Sequence, residues 1–534
     1  MAANVPTTIQ RRIVVAAGIC VMAFALVGVR VVDLTIFKGQ VTGATVVAPA
    51  HIVATRADIL DRNGQLLARD LPVFDLYAQP HVFWDKAQAA HDLARVTGAS
   101  ENRLTHAFAT EHNYVLVARQ ITPETQDRVM HLGLPGLEFQ PAVKRYYPQG
   151  SAAVQVIGAT EAVSGGKGIN GLERGLNTRL ISGTPVRLSL DMRIQYVLAH
   201  EVEMAREKYD AHAAGGIVMN VNTGEILAMA SLPDTPQSAA QGADPRRNRM
   251  AQDDYELGSV FKIFAFTLAL EDHTARLDEF FPVGPGFKIG RFMIRDAERM
   301  PAQMMARDIL AQSSNAGTAQ IALRSGPDRQ RAFLTSLGLL SAPRSEIPEG
   351  SAPIYPRHWG QIETATIGFG HGISVSPLAF VTAASMVVNG GRRVQPTFLK
   401  QDGDRRGEQV IKPETSIAMR GLLRYVVTDG TGKSADIAGY DVGGKTGSAE
   451  KNEHGRYIAH KLLTSFCAAF PIDNPRYLVF VMLDEPHGAN ASGVMALAGH
   501  TAAPLAGSVI AHIAAMLEMP TSAPITVAAK ASAS

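Results

Sequence analysis

The stretch that most restricts how this chain can fold is Tyr255–Leu270, YELGSVFKIFAFTLAL. After Gly258 nearly every residue is apolar: Val260, Phe261, Ile263, Phe264, Ala265, Phe266 and Leu268. A helix that is apolar all round belongs inside a protein. Lys262 lies within it, and an unpartnered lysine is costly in a core. Ser259 comes three residues earlier, so on a helix the two side chains share one face. Gly258 frees the backbone just before. Ser259 then falls in the first turn, where unpaired N–H groups and the dipole favour developing negative charge. A hydroxyl beside a strained ammonium at a positive helix end is the pattern of an activated nucleophile.

S-x-x-K alone is weak, because roughly two chance matches are expected in a chain this long. Ser164–Lys167 reads as a glycine-rich loop, and Ser448–Lys451 lies in a polar stretch without a helical apolar face. Only Ser259–Lys262 opens a buried helix. The bland alternative is a lysine snorkelling from a core helix.

The chain has 534 residues, room for two or three domains, and a net charge of only +2. No basic excess points to nucleic acid. The two cysteines are Cys20 and Cys467. Cys20 falls in the N-terminal apolar run, which argues against a structural disulfide. That run, Ile13–Val29, has 17 uncharged residues after Arg11-Arg12. This is the short end of a membrane-spanning helix, and Val31 and Val32 extend it if Arg30 snorkels. A cleaved signal peptide is the competing reading, but Ala48-Pro49-Ala50 is a distant cleavage site. The flanking arginines place the N-terminus in the cytoplasm and the bulk outside.

Further along, Ile59–Ala68 reads as a hairpin around Asn63-Gly64, and Gly216–Ser231 as another around Asn222-Thr223-Gly224. Val186–Gln195 begins as a strand and turns helical; a domain boundary is expected there. Leu462–Pro471 and Tyr477–Leu483 read as strands, Ala503–Leu517 as an amphipathic helix, and the Ala/Ser/Pro-rich tail as disordered. Gly439–Thr446 (GYDVGGKT) matches the phosphate-loop pattern, and Leu478–Glu485 could supply a magnesium-binding acid. A phosphate loop must lead into a helix. The polar run after Ser448 has no apolar stripe, so nucleotide hydrolysis is disfavoured.

Three short patterns follow in order: Ser259-Val260-Phe261-Lys262, Ser313-Ser314-Asn315 and Lys445-Thr446-Gly447. S-x-x-K, an S-D-N-type triplet and K-T-G are the signature set of β-lactamases and penicillin-binding proteins. With them the sequence resembles the class B penicillin-binding proteins, the monofunctional transpeptidases of bacterial cell walls, over about residues 10 to 505. Ile59–Ala68, Arg145–Gly150, Gly168–Glu173, Asn222–Pro233, Arg247-Asn248-Arg249 and Gly368–Pro377 resemble further family blocks. Departures are Ala57 for the glycine after Arg56, Leu257 for proline, and Ala506 where the family carries an aromatic.

The resemblance implies an α/β, penicillin-binding/β-lactamase-like transpeptidase fold, an antiparallel sheet flanked by helices. An elongated N-terminal pedestal domain and a single transmembrane helix precede it. The expected layout is a cytoplasmic tail 1–12, an anchor 13–32, stalk and pedestal 33–190, a transpeptidase domain 191–519 and a disordered tail 520–534. The implied substrate is a peptidoglycan stem peptide ending in D-Ala-D-Ala, and β-lactams would acylate Ser259 as mimics. Ser259 is the expected nucleophile and Lys262 the base, helped by burial and by Lys445. Ser313 would relay a proton, and Asn315 would orient Lys262 and the substrate amide. Lys445, Thr446 and Ser448 would bind the terminal carboxylate, and Gly447 would let the substrate backbone lie against the strand. No cofactor or metal is implied. A membrane-embedded glycan polymerase and other division proteins in the inner membrane are the implied partners. The Arg30–Leu34 stretch favours the division type. An elongation-type transpeptidase, a D,D-carboxypeptidase and a non-catalytic division scaffold are the alternatives.

Overall fold

The computed structural model describes residues 7–32, 55–110, 113–233, 247–453, 456–487 and 496–521. The expected stalk from 33 to 54, the first six residues of the cytoplasmic tail and the tail beyond 521 lie outside the described residues. Helix α1, Thr7–Val32, is 26 residues long. Its described side chains lie between residues 15 and 29, and Val15, Ile19, Phe24, Leu26 and Val29 among them are exposed. Among the described residues no helix is long and apolar enough to cross a membrane.

The chain forms two compact units, Met1–Ala54 with Phe74–Ala142, and Thr55–Val73 with Val143–Ser534. The expected hairpin is present: β1 (Ile59–Leu60) pairs antiparallel with β2 (Leu66–Ala78). Its turn is held by Asp61 Oδ1, which accepts from Asn63 N and Gln65 N at 2.8 Å each. In the first unit Phe74–Ala78 of β2 pairs with β3 (Val115–Ile121). Helices α2 (Lys86–Thr97), α3 (Glu101–Ala109) and α4 (Pro123–Met130) belong to this unit. Each starts at a side-chain cap, Asp85, Ser100 or Thr122. Leu76, Leu93, Phe108, Val117 and Val129 form the core.

The second unit is built on a five-stranded antiparallel sheet. Its strands are β4 (Ala213–Asn220), β5 (Ile226–Leu232), β6 (Gly443–Glu453), β7 (Arg456–Phe470) and β8 (Tyr477–Asp484), in the order β6-β7-β8-β4-β5. Every residue of β5 and β8 is buried, so the strands read as continuous apolar runs rather than alternating ones. The two-residue period still sorts the side chains. Ile217, Met219, Phe480 and Met482 join one apolar layer, and Val218, Val479, Val481 and Leu483 the other.

Helices α5 (Met192–Lys208) and α8 (Ala502–Ile513) cover the second face through Leu198, Val202, Val509 and Ile510. On the first face lie α6 (Lys262–Glu271) and α7 (Asn315–Ser325). All eight residues from Lys262 to Ala269 are buried, as the all-round apolar pattern demands. Phe261, Phe264 and Phe380 meet with ring centroids 5.1 to 6.0 Å apart, and Phe380 packs on Phe480 of β8 at 5.5 Å. Edge and tilted aromatic contacts of this kind fix α6 against the sheet. The phosphate-loop reading fails on this geometry, because Gly443 opens a strand and not a helix. Cys20 and Cys467 are both free.

A buried charge cluster joins the early and middle segments of the second unit. Glu173 takes Arg56 Nη2 at 2.7 Å and Arg145 Nε at 2.7 Å, and Arg145 Nη1 reaches Asp70 at 3.2 Å. All four side chains are almost inaccessible to solvent. Removing one member of such a set strands the others. Glu173→Gln is expected to lower stability by about 3–5 kcal/mol, read as a fall in the urea midpoint with the same slope.

Candidate active site

The turn that presents Ser259 is built by glycines. Gly258–Phe261 is a single 3₁₀ turn that runs into α6, and Gly258 sits at φ 60°. A Cβ on Gly258 would lie 2.8 Å from the Ser448 carbonyl oxygen. On Gly370, at φ 84°, it would lie 2.1 Å from the Gly258 carbonyl oxygen. On Gly447 it would lie 2.6 Å from both the Leu257 carbonyl oxygen and Ser465 Oγ. The turn that carries Ser259 is thus wedged between β6 and the Gly370 loop at distances no side chain permits. The space on the Cβ side of Gly447 is filled by the turn that carries Ser259 and by Ser465.

Lys262 and Lys445 are both wholly buried, and both reach Ser313. The Lys262 ammonium donates to the Ser313 carbonyl oxygen and, at 3.1 Å, to Ser313 Oγ. Lys445 Nζ donates to the same Oγ at 2.9 Å, and to Thr446 O and Oγ1 at 3.0 and 3.1 Å. Burial, and then the second cation, hold Lys262 well below the ordinary lysine range, while Asp296 opposes them. Burial brings Lys445 down to about 7. Ser313 itself is held at φ 64°, a left-handed backbone that costs a non-glycine residue about 1–3 kcal/mol.

Ser259, Ser313, Asn315, Thr446 and Ser448 all line one cleft of about 350 Å³. Gly447 lies behind it on β6, opposite Ser465 of β7. Thr446 Oγ1 lies 2.7 Å from Thr431 Oγ1, and Ser448 Oγ accepts from Ala498 N at 3.1 Å. Among the described residues the Asn315 side chain makes no hydrogen bond to Lys262, whose Nζ bonds to Ser313. The Asn315 backbone N–H, the first of α7, is held by Asp296.

Sequence reasoning missed Asp296, Thr431 and Ala498, and reached Gly370 only as part of the Gly368–Pro377 block. Asp296 lies in the charged run Arg295–Arg299, which looks like solvated surface. Thr431 stands between Gly430 and Gly432, a turn signal that could have marked it.

The penicillin binding protein transpeptidase domain matches residues 214–511, and the penicillin-binding protein dimerisation domain matches residues 51–184. The chain belongs to the penicillin-binding protein transpeptidase family. It is 38% identical over 485 residues to a probable peptidoglycan D,D-transpeptidase FtsI of Caulobacter vibrioides, covering 87% of this chain and 82% of that one. It is 32% identical over 482 residues to a probable peptidoglycan D,D-transpeptidase PenA of Neisseria meningitidis, covering 83% and 82%. Among solved structures, penicillin-binding protein 3 of Mycobacterium tuberculosis, complexed with aztreonam, aligns with a TM-score of 0.69 at 26% identity. That alignment covers 88% of this chain and 98% of the other.

The depressed Lys445 makes a pH signature. Its folded value of about 7 lies below the ordinary 10.5 of an unfolded chain. Between those values the folded protein binds fewer protons than the unfolded one, so this residue's contribution to stability rises with pH. Below pH 7 both states carry the charge and the burial penalty is full. Lys445→Met removes this slope. Urea titrations from pH 7 to 10 are expected to show wild type gaining on the variant, by at most about 1.4 kcal/mol per pH unit.

Proposed function

We propose that this chain is a serine D,D-transpeptidase that cross-links peptidoglycan stem peptides during septal wall synthesis, and that β-lactams inactivate it. The observation that carries this reading is the convergence of two buried amines on one hydroxyl, in the cleft that Ser259 lines. The curated relatives named peptidoglycan D,D-transpeptidases support it over a scaffold role.

In the mechanism we infer, Ser259 Oγ attacks the carbonyl of the penultimate D-Ala. Lys262, neutral because it is buried beside Lys445, takes the hydroxyl proton. Backbone N–H groups of Ser259 and Ser448 steady the oxyanion, worth on the order of 3 kcal/mol per donor. The C–N bond to the terminal D-Ala breaks, and the proton passes from Lys262 through Ser313 to the leaving nitrogen. The amine of a second stem peptide then attacks the ester, and Ser259 regains its proton. Thr446, Ser448 and Lys445 bind the terminal carboxylate, with Thr431 steadying the Thr446 hydroxyl. Asn315 binds the substrate amide rather than the lysine.

The site works outside the cytoplasm, in our reading, with residues 13–32 as a single anchor in the inner membrane. What supports this is that α1 runs through the whole of that stretch with Val15, Ile19, Phe24, Leu26 and Val29 exposed. Residues 33–190 serve as stalk and pedestal and 191–519 as the transpeptidase domain, in keeping with the two matched family domains. The anchor and stalk are proposed to meet a membrane-embedded glycan polymerase and other division proteins.

Fluorescent penicillin tests the catalytic reading. Wild type should be labelled covalently, and Ser259→Ala should fold and stay dark; labelling of that variant would overturn the assignment. The anchor has its own check. The full chain should sediment with membranes in high salt, and a chain lacking residues 1–32 should not.

A further inference from the structure

Ser313 is the hydroxyl that both amines reach, and it is held at a backbone angle that side chains disfavour, φ 64°. On its N-terminal side two backbone hydrogen bonds tie the turn to the preceding helix, Ser313 N to Leu310 O at 3.3 Å and Ser314 N to Ile309 O at 2.9 Å. A further hold comes from a distant segment. Asp296 Oδ2 accepts from Ser314 Oγ at 2.8 Å, and its Oδ1 accepts from the N–H groups of Asn315 and, at 3.1 Å, Ala316. Ser314 is wholly buried and already caps α7 by accepting from Gly317 N at 3.0 Å. One cap suffices for most helices. Here a second one, from outside the helix, takes both N–H groups that follow the Ser313 turn and fixes the hydroxyl of the residue between. A carboxylate at a helix N-terminus is also favoured by the dipole.

The charges around Lys262 make Asp296 distinctive. Lys445 faces it from β6, and His371 is close enough to sense its charge. Glu298, Lys433 and His500 line the cleft. Asp296 is the carboxylate that acts on Lys262, opposing Lys445. It joins the backbone that sets Ser313 to the charge balance of the amines that use it.

We propose that Asp296 is a positioning residue for acyl transfer: it locks the Ser313-Ser314-Asn315 turn so that the Ser313 hydroxyl stays between the two amines, and its charge balances them. This rests on the transpeptidase reading above. Two variants of the full chain separate the two parts. Asp296→Ala removes every acceptor, and Asp296→Asn keeps the shape and discards the charge. In a crystal structure of Asp296→Ala, Ser313 Oγ should lose its contact with at least one amine. A turn superposable on wild type, with both contacts kept, would overturn the locking role.

The charge role is read from penicillin acylation rates between pH 5 and 9. With its balancing anion gone, Lys262 gives up its proton at lower pH. The acid limb of Asp296→Asn should therefore move down by about one pH unit. A purely structural residue would lower the plateau and leave the limb in place, and that outcome would overturn the charge role. Absence of acylation in wild type would instead reject the transpeptidase reading, and the Asp296→Ala structure would still decide the locking role.

Discussion

Two lysine amino groups buried within reach of one hydroxyl are the constraint on which the site depends. Each would ionise fully in water, and bringing both into the interior works against their charge. The fold holds them from two sides. Lys262 is built into a helix with no solvent face, and Lys445 into a strand of the central sheet, so neither can withdraw to water without dismantling the core. Ser313 receives both because its own backbone is bent into a left-handed turn between two helices. The unfavourable burial makes an amine that can accept a proton near neutrality.

The surrounding architecture follows from that demand for rigidity. The sheet is packed on both faces, and the phenylalanines under α6 key the helix to β8. The Ser259 turn then approaches β6 more closely than any side chain allows, because glycines leave room for backbone alone. Atoms set this way need little reorganisation when charge develops, which is where preorganised sites gain most.

Much of this was legible in the residues themselves. The apolar run around Lys262 marked a buried helix, the Asn-Gly and Asn-Thr-Gly turns marked hairpins, and the ordered triplets marked the lining of the cleft. What escaped was contact between segments far apart in the chain. Nothing local distinguishes Asp296 from its charged neighbours, and only the fold brings it to the start of α7. Gly447 was legible as a glycine that mattered, but what crowds it depends on how the turn at Leu257 docks, and spacing does not encode docking. Asn315 showed its type but not its partner, since Ser313 meets Lys262 through a left-handed turn that sequence patterns do not reveal.

The sheet order leaves β6 at an edge. An edge strand offers donors and acceptors that have no neighbour in the sheet. An extended chain laid along it would be gripped through its main chain, in the manner of an added strand. Grip of that kind is indifferent to most side chains, so the burden of telling one guest from another shifts to the chirality and the free carboxylate at its terminus.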